Sequence, residues 1–158
     1  MGRIESRLKE MGVVLPRPPK PVAQYLPGVR VDNILYVSGT IGTTVDDNDN
    51  DILPFAGQVG DISLDDAYQS ARLTAINHLS MIKAVIGDLD QIVRIVKMIG
   101  YINAAPGFKD APQVLNGASD FWIELLGREK GAHGRAALYQ NQLTSDAPIE
   151  IEMTVQVA

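Results

Sequence analysis

The chain has no cysteine among its 158 residues, which excludes disulfides and thiolate metal sites and gives no sign of secretion. It also lacks a long hydrophobic run. Nowhere do 18 apolar residues follow one another, so no transmembrane helix is expected. The opening stretch, MGRIESRLKEMG, mixes charges with single apolar residues and has no h-region. It does not read as a signal peptide, and the expected location is the cytoplasm. Positive charge is in the minority: 14 Lys and Arg face 19 Asp and Glu, a net charge of −5, and only 6% of residues are aromatic. With no basic, aromatic stripe, nucleic acid is not an expected partner. One well-placed arginine can still bind a small anion, because local geometry outweighs a screened average field.

Histidine is scarce too. His78 and His133 have no acid nearby at ligand spacing, so no metal centre is expected, and no motif asks for a cofactor. His78 sits beside the apolar stripe of a helix and reads as structural. His133 lies in the Gly-rich stretch GAHGR, where a proton shuttle is conceivable but a structural role is preferred. Around Ser38 there is neither a Ser-His-Asp order nor nucleophile-elbow glycines. GQVG, residues 57–60, lacks the pattern and helix of a phosphate loop. The acidic stretch TTVDDNDNDI, residues 43–52, has oxygens spaced as in a calcium loop. Counted from Asp46, however, Asp51 stands where that motif needs Gly, and Gly57 where it needs Glu. It reads as a solvated surface loop.

What is present suffices for one core: 46% of residues are hydrophobic. A single domain is expected over 1–158, with 1–20 forming a short helix and Pro-rich connector and 21–158 the core. Ile4, Leu8 and Met11 at helical spacing predict a helix over 3–11, and PRPPKP, residues 16–21, a stiff connector. Residues 22–25 and 29–31 predict strand around a Pro27-Gly28 turn, and ILYVSG, 34–39, a second strand after Asp32-Asn33. Ser63 with Asp66 caps the clearest helix, whose stripe runs from Leu64 through Ala67, Ala71 and Ala75 to Ile86 before Gly87. QIVRIVKMIGYINA, 91–104, predicts a strand buried on much of both faces. Asp110 and Pro112 open a second helix that Gly127 ends. Residues 136–143 and 149–157 predict two strands that pair directly across TSDAP.

This order predicts an α+β two-layer domain, one mixed sheet with both main helices on one face. The other face then lacks cover, which predicts a homo-oligomer whose sheets face one another.

The last two strands hold the candidate chemistry. Arg135, between Gly134 and Ala136, carries a guanidinium that can give two parallel hydrogen bonds to a carboxylate and stays charged. Glu150 and Glu152 alternate with Ile149, Ile151 and Met153 and so point to one face; Glu152 reads as part of the sheet's polar side. A simple hairpin sets Arg135 opposite Gln156, not Glu150, so curvature, a bulge or a neighbouring subunit must bring the two together.

LYVSGTIG (35–42), GQVGDISLDDAYQSARLTAINHLSMIKAVIGDLDQIVRIVKMIGYINA (57–104) and GRAALYQNQLTSDAPIEIEMTVQV (134–157) resemble the RidA/YjgF/YER057c/UK114 family of enamine and imine deaminases. The resemblance implies a chorismate-mutase-like fold assembled as a homotrimer, with small carboxylate-bearing ligands bound in clefts between subunits. It implies that Arg135 grips the substrate carboxylate and that Glu150 is linked to the attacking water. It also implies that Ser38 and Gly39 lie in the site wall, and Asn116 resembles the family's site asparagine, with one extra residue, Leu115, separating it from Val114. Family deaminases carry a tyrosine just after a proline near the first strand. Here Val22 follows Pro21, and Tyr25 lies off that position. The implied function is hydrolysis of 2-imino acids to 2-keto acids and ammonia. The alternative is a non-catalytic, carboxylate-binding protein of the same fold. A third reading, RNA cleavage, conflicts with the acidic charge.

Overall fold

A computed structural model describes all residues, 1–158. Along the chain run α1 (Arg3–Glu10), β1 (Gly28–Val31), β2 (Ile34–Ile41), β3 (Thr44–Val45), β4 (Asp51–Ile52), α2 (Leu64–Ile86), β5 (Ile92–Asn103), α3 (Ala111–Leu126), α4 (Arg128–Gly131), β6 (Gly134–Gln140) and β7 (Ile149–Val157). The five long strands form one mixed sheet in the order β1-β2-β7-β5-β6; β3 and β4 pair as a separate ribbon.

The α2 boundaries follow from local chemistry. The Ser63 hydroxyl accepts the Asp66 N–H, satisfying one of the orphan donors at the helix start. Gly87, at φ 78, closes the helix in a conformation that a Cβ would oppose. Ala67, Ala71 and Ala75 are fully buried, and these small side chains let α2 lie close on the sheet. α3 packs beside α2, and the contact is tight: a Cβ at Gly117 would stand 2.0 Å from the Tyr68 carbonyl. Between helices and sheet lies one apolar core, with Leu115, Phe121 and Trp122 from α3 meeting Met98, Ile102 and Ile151 from the strands. Ile4 and Leu8 of α1 join it. No helix is long and apolar enough to cross a membrane.

Several sequence expectations change here. The terminal strands do not form a hairpin. β6 pairs with β5 in parallel, and β7 lies antiparallel between β2 and β5. The reason is burial. β7 carries Ile149, Ile151, Met153, Val155 and Val157 on one face, all buried, and so belongs in the middle of the sheet. β6 has no fully buried residue, with Leu138 and Tyr139 exposed, and takes the edge, and α3 supplies the crossover that a parallel β5-β6 pair requires. Residues 22–25 are not strand. They curl, with the Tyr25 N–H bonded to the Ala23 carbonyl, and Val22 is exposed. Pro27 offers no donor to extend the ladder back from Gly28.

β5 is buried on one face only. Ile95, Met98 and Ile102 enter the core, while Val93 and Val96 are exposed. The helix-free face also carries Val31 and Tyr36, each 54% exposed, and Leu138.

Candidate functional site

The site begins at a bulge. The β2–β7 register slips between Val37 and Thr40, which leaves Ser38 and Gly39 out of the ladder. Ser38 is tied on three sides. Its N–H donates to the Pro27 carbonyl at 2.9 Å, its hydroxyl donates to the Leu26 carbonyl, and its own carbonyl accepts from His78 at 3.0 Å. Its hydroxyl proton is therefore engaged, and Ser38 is framework rather than nucleophile. Because a carbonyl can only accept, Nε2 of the fully buried His78 carries the proton. Burial pushes this imidazole down to about 4, so it is neutral at pH 7.

Glu150 stands across from Ile41 in the next strand, on the helix-free face. Its carboxylate lies over Gly39, where an added Cβ would meet Oε1 at 3.2 Å. Glycine at 39 leaves room for that carboxylate. Glu150 is half-buried and has neither a hydrogen-bond donor nor a cation beside it. Burial, and secondly the charge of Glu152, push its carboxyl above the usual range. Glu152 itself accepts from the Tyr101 hydroxyl at 3.2 Å.

A cleft of about 580 Å³ opens beside Glu150. Its lining includes Ser38, Gly39 and Thr40 of the bulge, Val22, Ala23 and Tyr25 of the curled segment, and Ser145. Ser145, like the adjacent Asp146, is left-handed at φ 56, so this part of the lining holds backbone strain. Lys20 and Asp51 complete the outer wall. They belong to a latch between the Pro-rich connector and the acidic loop. Arg17 pairs with Asp49 at 2.6 Å and Asp51 at 2.9 Å, and the Lys20 N–H donates to Asp51 at 2.8 Å. Asp46 shapes the loop by accepting the N–H groups of Asn48 and Asn50, which lowers its pKa. Loop 43–52 is thus a wall of the cleft.

Arg135 lies elsewhere. On β6 it is level with Met98 and points to the helix layer. One terminal nitrogen donates to Ser119 Oγ at 3.0 Å, the other to the Pro112 carbonyl at 3.1 Å. No carboxylate lies within 4 Å of it. Burial lowers its pKa, opposed by the charge of Asp120, from a starting value so high that the cation persists. Asn116 sits between Pro112 and Ser119 on the same face of α3, at helical spacing, without a side-chain hydrogen bond of its own. The predicted residues therefore form two groups. Ser38, Gly39 and Glu150 share the cleft, and Arg135 and Asn116 share the end of the helix layer.

A family model described as "YjgF/chorismate_mutase-like, putative endoribonuclease" matches residues 5–150. The chain belongs to the YjgF family. Protein TCP17 of Trypanosoma cruzi is 32% identical over 158 residues, covering 99% of this chain and 95% of that one. A crystal structure of Atu1372 from Agrobacterium tumefaciens, a protein of unknown function, is 36% identical with a TM-score of 0.86, covering 98% of this chain and 92% of that one. The structure of Escherichia coli TdcF with bound serine is 20% identical with a TM-score of 0.60, covering 90% and 94%. At that identity the likeness speaks for the fold.

Within this YjgF-family chain, Tyr25, which in sequence lies near but off the family's tyrosine position, lines the cleft together with Val22. The curled backbone of 22–25 brings both in, and no periodicity announces a curl. Ser119 and the Arg17 latch were missed as well. The signal for Ser119 was a lone hydroxyl three residues after Asn116 within an apolar stripe. Long-range pairing such as Arg17 with Asp49 leaves no local signal.

Proposed function

We propose that the protein hydrolyses reactive 2-imino acids and their enamines to 2-keto acids and ammonia, in a cleft between subunits of a homotrimer. The observation that carries this reading is Glu150: a half-buried carboxylate without a partner, its proton affinity raised, facing a polar cleft. Such a group can exchange a proton closer to neutrality than an ordinary glutamate. Arg135 supports the same reading, as a positioned fork with no carboxylate of its own. The two point to opposite faces of the sheet, so a site using both needs two copies of the chain. The uncovered apolar face is the surface proposed to join them. The serine held by TdcF, an amino acid with a carboxylate, accords with this ligand class.

In the proposed reaction Arg135 binds the substrate carboxylate bidentately, aided by Asn116. Water, held against Glu150 and the backbone of Ser38-Gly39, adds its oxygen to the C=N carbon. Glu150 takes one water proton while the imine nitrogen takes one from solvent, giving a carbinolamine beside a protonated Glu150. Glu150 then delivers its proton to the nitrogen, the C–N bond breaks, ammonia leaves, and the hydroxyl proton returns to solvent as the carbonyl forms. The imine hydrolyses unaided in water, so orientation and modest proton transfer suffice. Tyr25 lines the cleft in a chain where Val22 follows Pro21 at the family's tyrosine position.

The test is release of ammonia and keto acid from freshly generated 2-iminopropanoate, wild type beside Arg135→Lys, which keeps the charge and loses the fork. Acceleration by the wild type and not by the variant supports the deaminase. Stoichiometric keto-acid binding without acceleration identifies instead a carboxylate-binding protein, the reading that Val22 favours.

A further inference from the structure

Behind Arg135 runs a chain of hydrogen bonds whose direction is determined at every link. His133 Nδ1 lies 2.6 Å from the Gly131 carbonyl. A carbonyl only accepts, so Nδ1 carries the proton. In a neutral imidazole Nε2 is then a bare lone pair, and Ser119 Oγ, 2.9 Å away, must donate to it. With its single hydrogen engaged, the Ser119 oxygen turns lone pairs toward Arg135 and accepts from the guanidinium at 3.0 Å. Burial, with the Arg135 charge as a further contribution, holds His133 below its usual pKa, which keeps the ring neutral as this pattern requires. Ser119 is itself only 8% exposed, so water does not compete freely for its hydroxyl. Gly131 is fixed in turn: its N–H bonds the Gly127 carbonyl, and its α-carbon packs on the Trp122 backbone with no room for a side chain.

We infer that Ser119 and His133 are positioning residues for Arg135: the imidazole sets the direction of the serine hydroxyl, and the hydroxyl aims the guanidinium fork at an incoming carboxylate. This rests on the reading that Arg135 binds that carboxylate. The Pro112 carbonyl restrains one arm of the fork and Ser119 the other, so the plane of the guanidinium is held at two points. A bidentate contact depends on that plane, because two parallel hydrogen bonds form only when the fork and the carboxylate are coplanar. Neither Ser119 nor His133 needs to touch the substrate. The arrangement is specific: an alanine at 119 removes the acceptor, while a threonine retains it, and a glutamine at 133 retains an acceptor for the hydroxyl where an alanine does not.

The experiment measures dissociation of a 2-keto acid, and KM and kcat for the imine, in Ser119→Ala, Ser119→Thr, His133→Ala and His133→Gln. ¹⁵N NMR gives the His133 tautomer and the mobility of the Arg135 Nε–H. Ser119→Ala is expected to weaken keto-acid binding and raise KM by about tenfold, with kcat within about twofold, the loss of one hydrogen bond to a charged group. Ser119→Thr and His133→Gln restore most of the binding, and His133→Ala moves in the direction of Ser119→Ala. The wild-type ring is expected to be protonated at Nδ1, and Arg135 to become mobile in Ser119→Ala. Wild-type binding in Ser119→Ala, beside a defect in Arg135→Lys, overturns the inference and leaves the functional reading standing. A wild type that binds no carboxylate ends the functional reading instead. The inference is then decided by the NMR alone, and a ring protonated at Nε2, or an Arg135 unmoved by Ser119→Ala, rejects it.

Discussion

Arg135 and Glu150 stand on opposite faces of one sheet. Arg135 on β6 is level with Met98 and with Met153 across β5, three residues from Glu150 on β7. Two strand spacings and three residue rises put their α-carbons roughly 14 Å apart. Curvature does not close that gap, because the side chains diverge: one meets α3, the other the helix-free face. If both serve one reaction, they come from different chains.

That relationship predicts complementation. Arg135→Ala and Glu150→Gln, each inactive alone, are expected to regain about a quarter of wild-type activity when unfolded together and refolded as mixed assemblies, since one interface in four then combines an intact Arg135 with an intact Glu150. Mixtures that stay inactive, with mixed assemblies verified by mass, reject a shared site.

The lone charge of Arg135 predicts a large effect of truncation. Arg135→Ala should lower kcat/KM about a hundredfold or more, because the substrate carboxylate loses a bidentate, charge-assisted partner. Steady-state kinetics on 2-iminopropanoate checks it.

Glu150 predicts the acid limb of the pH profile. Its carboxyl is raised first by burial and then by Glu152, so the base form, and with it kcat/KM, should increase with pH through a value above the ordinary glutamate range. Glu152→Gln removes the repulsion and should move that limb to lower pH. An unmoved limb in Glu152→Gln argues that Glu152 does not act on Glu150.

His78 predicts acid lability. Its native pKa of about 4 lies below the unfolded value of 6.5, so between these pH values the unfolded chain binds more protons. Stability is fully present above pH 6.5 and is lost as pH falls toward 4, by roughly 3 kcal/mol in total. His133, also lowered, adds in the same direction. Urea midpoints measured from pH 7 to 4 should decline steeply in the wild type and less steeply in His78→Gln, which keeps a donor for the Ser38 carbonyl but does not titrate.

The latch predicts a local effect. Arg17→Ala releases the acidic loop from the Pro-rich connector, and amide exchange should quicken at residues 46–51 while the core amides stay protected. Raising the salt concentration should act in the same direction on the wild type, since these pairs are partly exposed.

Much of this molecule was legible in short stretches. Ser63 and Gly87 marked the ends of α2, and Asp110, Pro112 and Gly127 those of α3, because caps and breakers act within a few residues. The alternation Ile149-Glu150-Ile151-Glu152-Met153 declared which side of β7 is buried, and the likeness to a known family pointed to Arg135, Glu150, Ser38, Gly39 and Asn116. What the local pattern could not declare was who neighbours whom. Two adjacent strands predict a hairpin, yet β5 lies between β6 and β7, because the total burial of the sheet outweighs the short connection. From that strand order follows the separation of Arg135 from Glu150. From the curled path of residues 22–25 follows the entry of Tyr25 into the cleft, and from the packing of α3 on β6 the meeting of Ser119, His133 and Arg135. Residue identities, caps and periodicity are properties of the sequence alone. The site's composition was decided by contacts between residues far apart in the chain, and only the folded core brings those together.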